Sequence, residues 1–134
     1  MAALTRIGPH GIEPLVLFPG PGVVEEAYRS AGIATRLVPA PRSLLLFNRQ
    51  IQAKSTRERA ELVVRELAPY TLRLARIIRD EGFEAVHCNT SRGMLIAGPA
   101  AKLARRATVL HLRGAHEGLG RGMWLAAQLL ATRI

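Results

Sequence analysis

At 134 residues, 49% hydrophobic and 22% charged, the chain has the composition of one soluble globular domain with a real core, which excludes a disordered, collagen-like or low-complexity protein. Cys88 is the single cysteine, so an intrachain disulfide is excluded and a metal site built from cysteines is not expected. The net charge is +9, no apolar run reaches the roughly 18 residues of a membrane span, and no signal peptide is recognisable, so we expect a cytoplasmic protein.

Strands and helices alternate along the predicted chain. Most strands are short apolar runs near Gly or Pro residues, and the helices show amphipathic spacing or small-residue runs. Residues 39–54 give no clear assignment. In chain order the sequence predicts a strand over 14–18, a helix over 23–31, a strand over 33–38, a helix over 56–80, a strand over 84–88, a helix over 92–106, a strand over 108–112 and a helix that begins at 123.

The long helix over 56–80 carries three signals. Ser55 followed three residues later by Glu58 predicts a capping box at its start. Apolar residues recur every three or four positions from Ala60 to Ile78, which predicts one continuous buried face. Pro69 predicts a kink or a division, because proline lacks the backbone N–H and its ring crowds the preceding turn.

Strands joined by helical crossovers predict a parallel sheet. We therefore expect an α/β fold, a Rossmann-like parallel sheet with helices on both faces, in one domain over residues 1–134. Ligands of such sheets bind at the carboxyl ends of the strands. The candidate binding loops are 19–22, 39–48, 88–92 and 113–122.

The loop after the third strand contains Asn89, Thr90 and Ser91. These side chains offer neutral hydrogen-bond groups at a predicted helix N-terminus, which suits ligands with hydroxyl or phosphate groups, and helix capping alone is the alternative explanation. Of the two preceding residues, we expect His87 to be a buried, satisfied histidine and Cys88 to fill a small apolar space rather than act as a nucleophile.

The loop after the fourth strand is the second candidate. Arg113 is suited to clamp an anionic group, and Gly114 allows a close approach of the backbone. His116, in the loop, is a better binding candidate than His111 in the strand. An exposed cation and a surface histidine are the alternative explanation.

The basic charge has several readings. Of the 19 cationic residues 17 are arginines, which are scattered along the sequence, and aromatic residues make up only 4%. Nucleic acids are bound by clustered basic residues and stacking aromatics, so we expect no nucleic-acid partner. An anionic substrate or membrane surface is compatible with the charge. The last predicted helix contains Trp124. We expect this helix to face a core, and the alternative is a helix that lies on a membrane surface.

The segments 82–91 and 107–114, separated by a helix of small residues, together resemble the N-terminal half of family 4 glycosyltransferases. Those enzymes have the GT-B fold of two Rossmann domains. Their N-terminal domain has a similar strand ending in histidine before a Ser/Asn loop, and a later strand ending in His-x-Arg/His-Gly. The segment 13–22 with residues 31–33 is similar to the second strand and helix of such domains.

The resemblance implies the acceptor-binding half of a retaining, hexosyltransferase-like enzyme that moves a sugar from a nucleotide-sugar donor to a hydroxyl or lipid-linked acceptor. It implies peripheral contact with the inner face of the membrane. No cofactor and no metal ion are expected, and the catalytic residues are unknown. The implied substrate-binding residues are Asn89, Thr90, Ser91, Arg113, Gly114 and His116.

Two parts of the family's architecture have no counterpart in this sequence. The opening strand of the GT-B N-terminal domain is missing, and no nucleotide-sugar domain follows. We therefore expect an incomplete domain, a fragment that is inactive alone. The alternative is a non-enzymatic Rossmann-like binding or regulatory module.

Overall fold

The computed structural model of the chain describes residues 11–45, 54–111 and 121–132. The fold is mixed α/β, as predicted, and the described strands form two separate parallel pairs where the sequence predicted one sheet. The chain divides into two compact units, one that ends at Pro41 and one that begins at Arg42. Each unit contains a two-stranded parallel sheet.

The first unit consists of β1 (Leu15–Phe18), α1 (Val23–Ser30) and β2 (Ala34–Leu37). The two strands are parallel and in register from Leu15 opposite Ala34 onward. A helix between them is the connection that parallel pairing requires, since a tight turn can join only antiparallel neighbours.

A buried carboxylate links α1 to β2. Glu25 is 5% exposed, and its Oε1 accepts a hydrogen bond of 3.3 Å from the Thr35 hydroxyl and lies 3.8 Å from the Arg29 guanidinium. Burying a charged group is costly unless it is paired, so both contacts are needed to hold it there. Gly32 follows α1 with a φ of 73°, the left-handed conformation in which glycine commonly ends a helix.

In its described residues the second unit has five α-helices and two strands: α2 (Arg42–Leu45), α3 (Thr56–Leu62), α4 (Ala68–Asp80), β3 (Ala85–Cys88), α5 (Ser91–Leu103), β4 (Ala107–Leu110) and α6 (Arg121–Leu130). β3 and β4 are parallel, with α5 as their crossover. Helix α5 packs against α4 on one side and against α6 on another. Among the described helices, none combines the length and the apolar character needed to cross a membrane.

The long predicted helix is divided at Pro69, as expected. A π-helical turn, Val63–Leu67, separates α3 from α4. Its wider spacing accommodates a proline that cannot donate a hydrogen bond and whose ring crowds the carbonyl four residues earlier. The predicted continuous buried face is wrong in its first half, because α3 has no buried residue and Val64 is 69% exposed.

Several element ends differ from the prediction. Helix α5 is shorter than the predicted 92–106 because Arg105 adopts a left-handed φ of 57°, which a right-handed helix cannot continue. Strand β4 stops at Leu110, before its predicted end, so His111 lies just beyond it. The unassigned stretch after Pro39 contains the short helix α2.

The core of the second unit lies where β3, β4, α5 and α6 meet. Cys88, Met94 and Leu110 form a buried cluster, and Leu130 of α6 packs against it. This contact confirms that α6 faces a core, and the side chain of Trp124 lies outside the described part of the structure.

Thr108 ties α6 to β4 from a fully buried position. Its hydroxyl donates to the Leu130 carbonyl at 2.6 Å and accepts from the Thr132 N–H at 3.1 Å. The Thr132 N–H also lies 2.8 Å from the Thr108 carbonyl oxygen. The buried hydroxyl therefore uses both its donor and an acceptor site, and an apolar residue here would take away the partner that the Leu130 carbonyl has in Thr108.

Ser55→Ala tests the predicted capping box, which the structure contains. The Ser55 side chain accepts from the Glu58 N–H, and Glu58 Oε2 accepts from the Ser55 N–H at 2.7 Å. We expect the substitution to lower the free energy of unfolding by about 1 kcal/mol, measured by urea denaturation. Ser55→Thr, which retains a capping hydroxyl, should cost less, and equal losses from both substitutions would contradict the assignment.

The same capping box predicts a pH dependence. The hydrogen bonds from the Ser55 side chain and backbone hold the pKa of Glu58 below its ordinary value. The stabilisation is therefore present above the ordinary carboxylate pKa and is lost as the pH falls through the lowered pKa. In an NMR titration, Ser55→Ala should move the Glu58 pKa upward. An unchanged Glu58 titration would show that the cap does not act on this carboxylate.

Gly98→Val tests the close packing of α5 on α6. A Cβ at Gly98 would lie 2.8 Å from Met94 Sδ and 3.1 Å from Leu130 Cβ, so a larger side chain must displace the core. We expect the free energy of unfolding to fall by about 1–3 kcal/mol. Lys102→Val, at an exposed position of the same helix, is the control and should cost less than about 1 kcal/mol.

Candidate functional site

The parallel register of β3 and β4 brings their carboxyl ends together. Cys88 lies opposite Leu110, and the His111 N–H donates to the Cys88 carbonyl at 2.9 Å. The rings of His87 and His111 are consequently neighbours, with centroids 5.8 Å apart and planes at 77°. We call this place the β3–β4 carboxyl edge and define it by His87, Asn89, Thr90 and His111.

The expectation that His87 is buried is wrong, because the residue is exposed. Side chains alternate along a strand, and Cys88 takes the core-facing position, so His87 points to the other face. His111 is exposed as well. Sequence reasoning preferred His116 to His111 because His116 lies in the loop after the strand, and His116 lies outside the described residues, so that preference stays a prediction. The neighbour of His111 in the structure depends on strand register, a long-range property that local spacing does not contain.

The loop after β3 leads directly into α5. Thr90 is the N-cap residue, and its side-chain oxygen accepts from the Gly93 N–H at 3.0 Å. The capping interpretation of Thr90 is therefore correct, and its hydroxyl proton can still be donated to a ligand. Asn89 is exposed beside it, and Ser91 is the first residue of the helix, partly buried.

The electrostatics of the edge favour electron-rich groups. The first turn of α5 has no acidic residue and carries the exposed Arg92. The unpaired N–H groups and the dipole at a helix N-terminus add partial positive charge. Hydroxyl oxygens and phosphate oxygens are the ligand atoms that such a surface attracts.

Cys88 belongs to the core rather than to the chemistry of the edge. Burial raises the pKa of the Cys88 thiol to about 11, because the thiolate would lose its hydration. Since the thiolate is the reactive form, this residue is inert at neutral pH.

Three of the predicted substrate-binding residues, Arg113, Gly114 and His116, lie outside the described residues, and their assignment stays a prediction. Within residues 11–45, 54–111 and 121–132, no group of three or more His, Cys, Asp or Glu side chains is placed to hold a metal ion. The edge as described is thus a surface of imidazole, amide and hydroxyl groups.

Comparison of the chain with protein-family models, with curated proteins and with solved structures finds no significant match. The functional assignment therefore depends on the chemistry of the residues and on their placement.

Alkylation of Cys88 tests its assignment to the core. At pH 8 a thiol with a pKa of about 11 is roughly 0.1% thiolate, whereas an unperturbed cysteine, with a pKa of about 8.5, is roughly one quarter thiolate. We expect iodoacetamide to modify the folded chain more than about 100-fold more slowly than the urea-unfolded chain. Equal rates in both states would show that the Cys88 thiol is accessible in the folded chain and has an ordinary pKa.

Proposed function

We propose that the chain is the acceptor-binding part of a glycosyltransferase, a Rossmann-like domain of the family 4 type. In the complete enzyme, a sugar would pass with retention from a nucleotide-sugar donor to a hydroxyl or lipid-linked acceptor. The proposal places this activity in the cytoplasm, at the inner face of the membrane when the acceptor is lipid-linked. Parallel strand pairs with helical crossovers support the Rossmann-like part of the proposal.

The observation that carries the proposal is the pairing of His87 with His111 at the β3–β4 carboxyl edge. In open α/β sheets ligands bind outside the carboxyl ends of the strands. The resemblance to family 4 enzymes includes the same two segments, with His87 near the end of β3 and His111 directly after β4. The strand topology and the resemblance both support a binding site at this edge.

The residues of the edge suit a ligand with several hydroxyl groups. A neutral imidazole offers one donor and one acceptor nitrogen, and the Asn89 amide offers two donors and one acceptor oxygen. The Thr90 hydroxyl, fixed by its bond to the Gly93 N–H, adds a donor in a defined position. These groups would bind and orient the acceptor, and orientation of reactants is a major source of enzymatic rate.

The proposal assigns donor binding to a second domain, as in GT-B enzymes. Groups on both sides of an interdomain cleft would be needed to stabilise the charge that develops during sugar transfer. The isolated chain should accordingly bind acceptor-like ligands weakly without catalysing transfer.

Ligand titration of the 134-residue chain tests this function. We expect methyl glycosides to shift the backbone NMR signals of Asn89, Thr90 and His111, and we expect no hydrolysis or transfer when UDP-glucose or GDP-mannose is added. Asn89→Ala should weaken binding about tenfold, the effect of losing one or two hydrogen bonds. Lys102→Ala, at the other end of α5, is the control and should leave the affinity unchanged.

Three outcomes would contradict the proposal. Sugar transfer by this chain alone would show that no second domain is needed. Ligand-induced shifts that avoid the β3–β4 carboxyl edge would place the site elsewhere. Absence of any glycoside or nucleotide-sugar binding, together with a stable complex with another protein, would favour the binding or regulatory module.

A further inference from the structure

Strand register brings two imidazole rings together at the β3–β4 carboxyl edge. His87 lies opposite Val109 in the parallel pair. His111 is two residues beyond Val109, and side chains two residues apart along an extended chain share a face. Both histidines therefore lie on the side away from the core cluster, to which Cys88 and Leu110 belong, and their ring centres are 5.8 Å apart.

The backbone holds these two rings side by side. The His111 N–H donates to the Cys88 carbonyl at 2.9 Å, which extends the strand pairing one residue past the end of β4. Both histidines are exposed, so an ion from the solvent can reach them without opening the core. Binding groups that are held in place in advance cost less to order than groups that must first be brought together.

The separation of the rings is compatible with two histidines bound to a single metal ion. A zinc–nitrogen bond is about 2.0–2.1 Å long, which puts the centre of a bound imidazole about 3.2 Å from the ion. Two such rings have centres about 5.2 Å apart at a tetrahedral angle and about 6.4 Å apart on opposite sides of the ion. The 5.8 Å between His87 and His111 lies between these values, so a small rotation of two exposed side chains is enough.

We propose that His87 and His111 together bind one divalent transition-metal ion of the class of Zn²⁺, Ni²⁺ and Cu²⁺. Neutral imidazole is a preferred ligand of these ions. One nitrogen of each ring is sufficient, and the other nitrogen can take part in a hydrogen bond. No metal ion was expected from the sequence, in which the two histidines are far apart.

Water or an oxygen of a bound ligand would complete the coordination of the ion. In the part of the chain that the structure describes, no group of three or more His, Cys, Asp or Glu side chains is placed to hold a metal. A zinc ion takes four ligands, so two positions stay open when two histidines bind it. We therefore expect an exchangeable ion rather than a permanently bound structural one.

The charge of the edge decides which cations can bind. Arg92 and the N-terminus of α5 follow closely after β3 and make the region positive. Mg²⁺ and Ca²⁺ are held by oxygen ligands, above all carboxylates, which the histidine pair does not supply. Zn²⁺, Ni²⁺ and Cu²⁺ form coordinate bonds to neutral nitrogen, so they can bind in spite of the positive surroundings. The pair should therefore discriminate between the two classes of ion.

Calorimetric titration of the full chain with ZnCl₂ tests the proposal. We expect zinc to bind, and MgCl₂ not to bind at the same concentrations. His87→Gln and His111→Gln should each weaken zinc binding at least about tenfold, since loss of a group that merely supports a metal ligand already costs about 10- to 100-fold. His10→Gln, the same change at a histidine outside the pair, is the control and should leave the affinity unchanged.

A second measurement uses the unsubstituted chain. Cu²⁺ is paramagnetic and broadens the NMR signals of nuclei close to it. A small amount of CuCl₂ should therefore broaden the ring signals of His87 and His111 before those of His10. Circular dichroism checks that the glutamine variants fold, and the broadening experiment decides the question if one of them does not.

Three results would overturn the proposal. Absence of zinc binding would show that the two rings only pack against each other. Zinc affinity that survives His87→Gln or His111→Gln, or copper broadening that begins at His10, would show that other groups hold the ion. Equal losses in all three variants would show that zinc binds without a defined site. The inference goes beyond the proposed function and does not depend on it, because glycoside titration in the presence of EDTA tests acceptor binding separately.

Discussion

The parallel pairing of β3 with β4 is the constraint on which the second unit depends. Once Ala85 lies opposite Ala107, the register places Cys88 against Leu110 and His111 one residue beyond the strand. The chain must then cross the sheet through α5, and the crossover begins at the carboxyl end of β3. The same pairing thus creates the core cluster, the helix N-terminus at Thr90 and the contact between the two histidines.

The crossover also explains why small residues fill α5. The helix packs against both α4 and α6. Because Gly98 has no side chain, Leu130 of α6 can pack so close that its Cβ would lie only 3.1 Å from a Cβ at position 98. The hydrogen bond from the Thr108 hydroxyl to the Leu130 carbonyl holds the end of α6 to β4. Polar satisfaction and close packing therefore act at the same junction, and a change in either would move α6 away from β4.

The features that the sequence predicted correctly are those that depend on residues close together in the chain. The Ser55–Glu58 capping box and the division of the helix near Pro69 each depend on neighbours within about six residues, and each is found. The neighbours of His87 could not be predicted in this way, because they depend on strand register between distant segments.

The second feature that local spacing did not predict is the rotation between the two halves of the long helix, which decides which of their faces is buried. A continuous α-helix would have placed Val64 on the same buried face as Leu74, but the π-helical turn at Val63–Leu67 changes the phase between α3 and α4. Val64 is consequently exposed while Leu74 is buried. The same packing decides which arginines of α4 are exposed, since Arg73, Arg76 and Arg79 lie away from its buried face. A net charge of +9 says only how much positive charge is present, and the side of α4 that meets the core decides where these three cations are displayed.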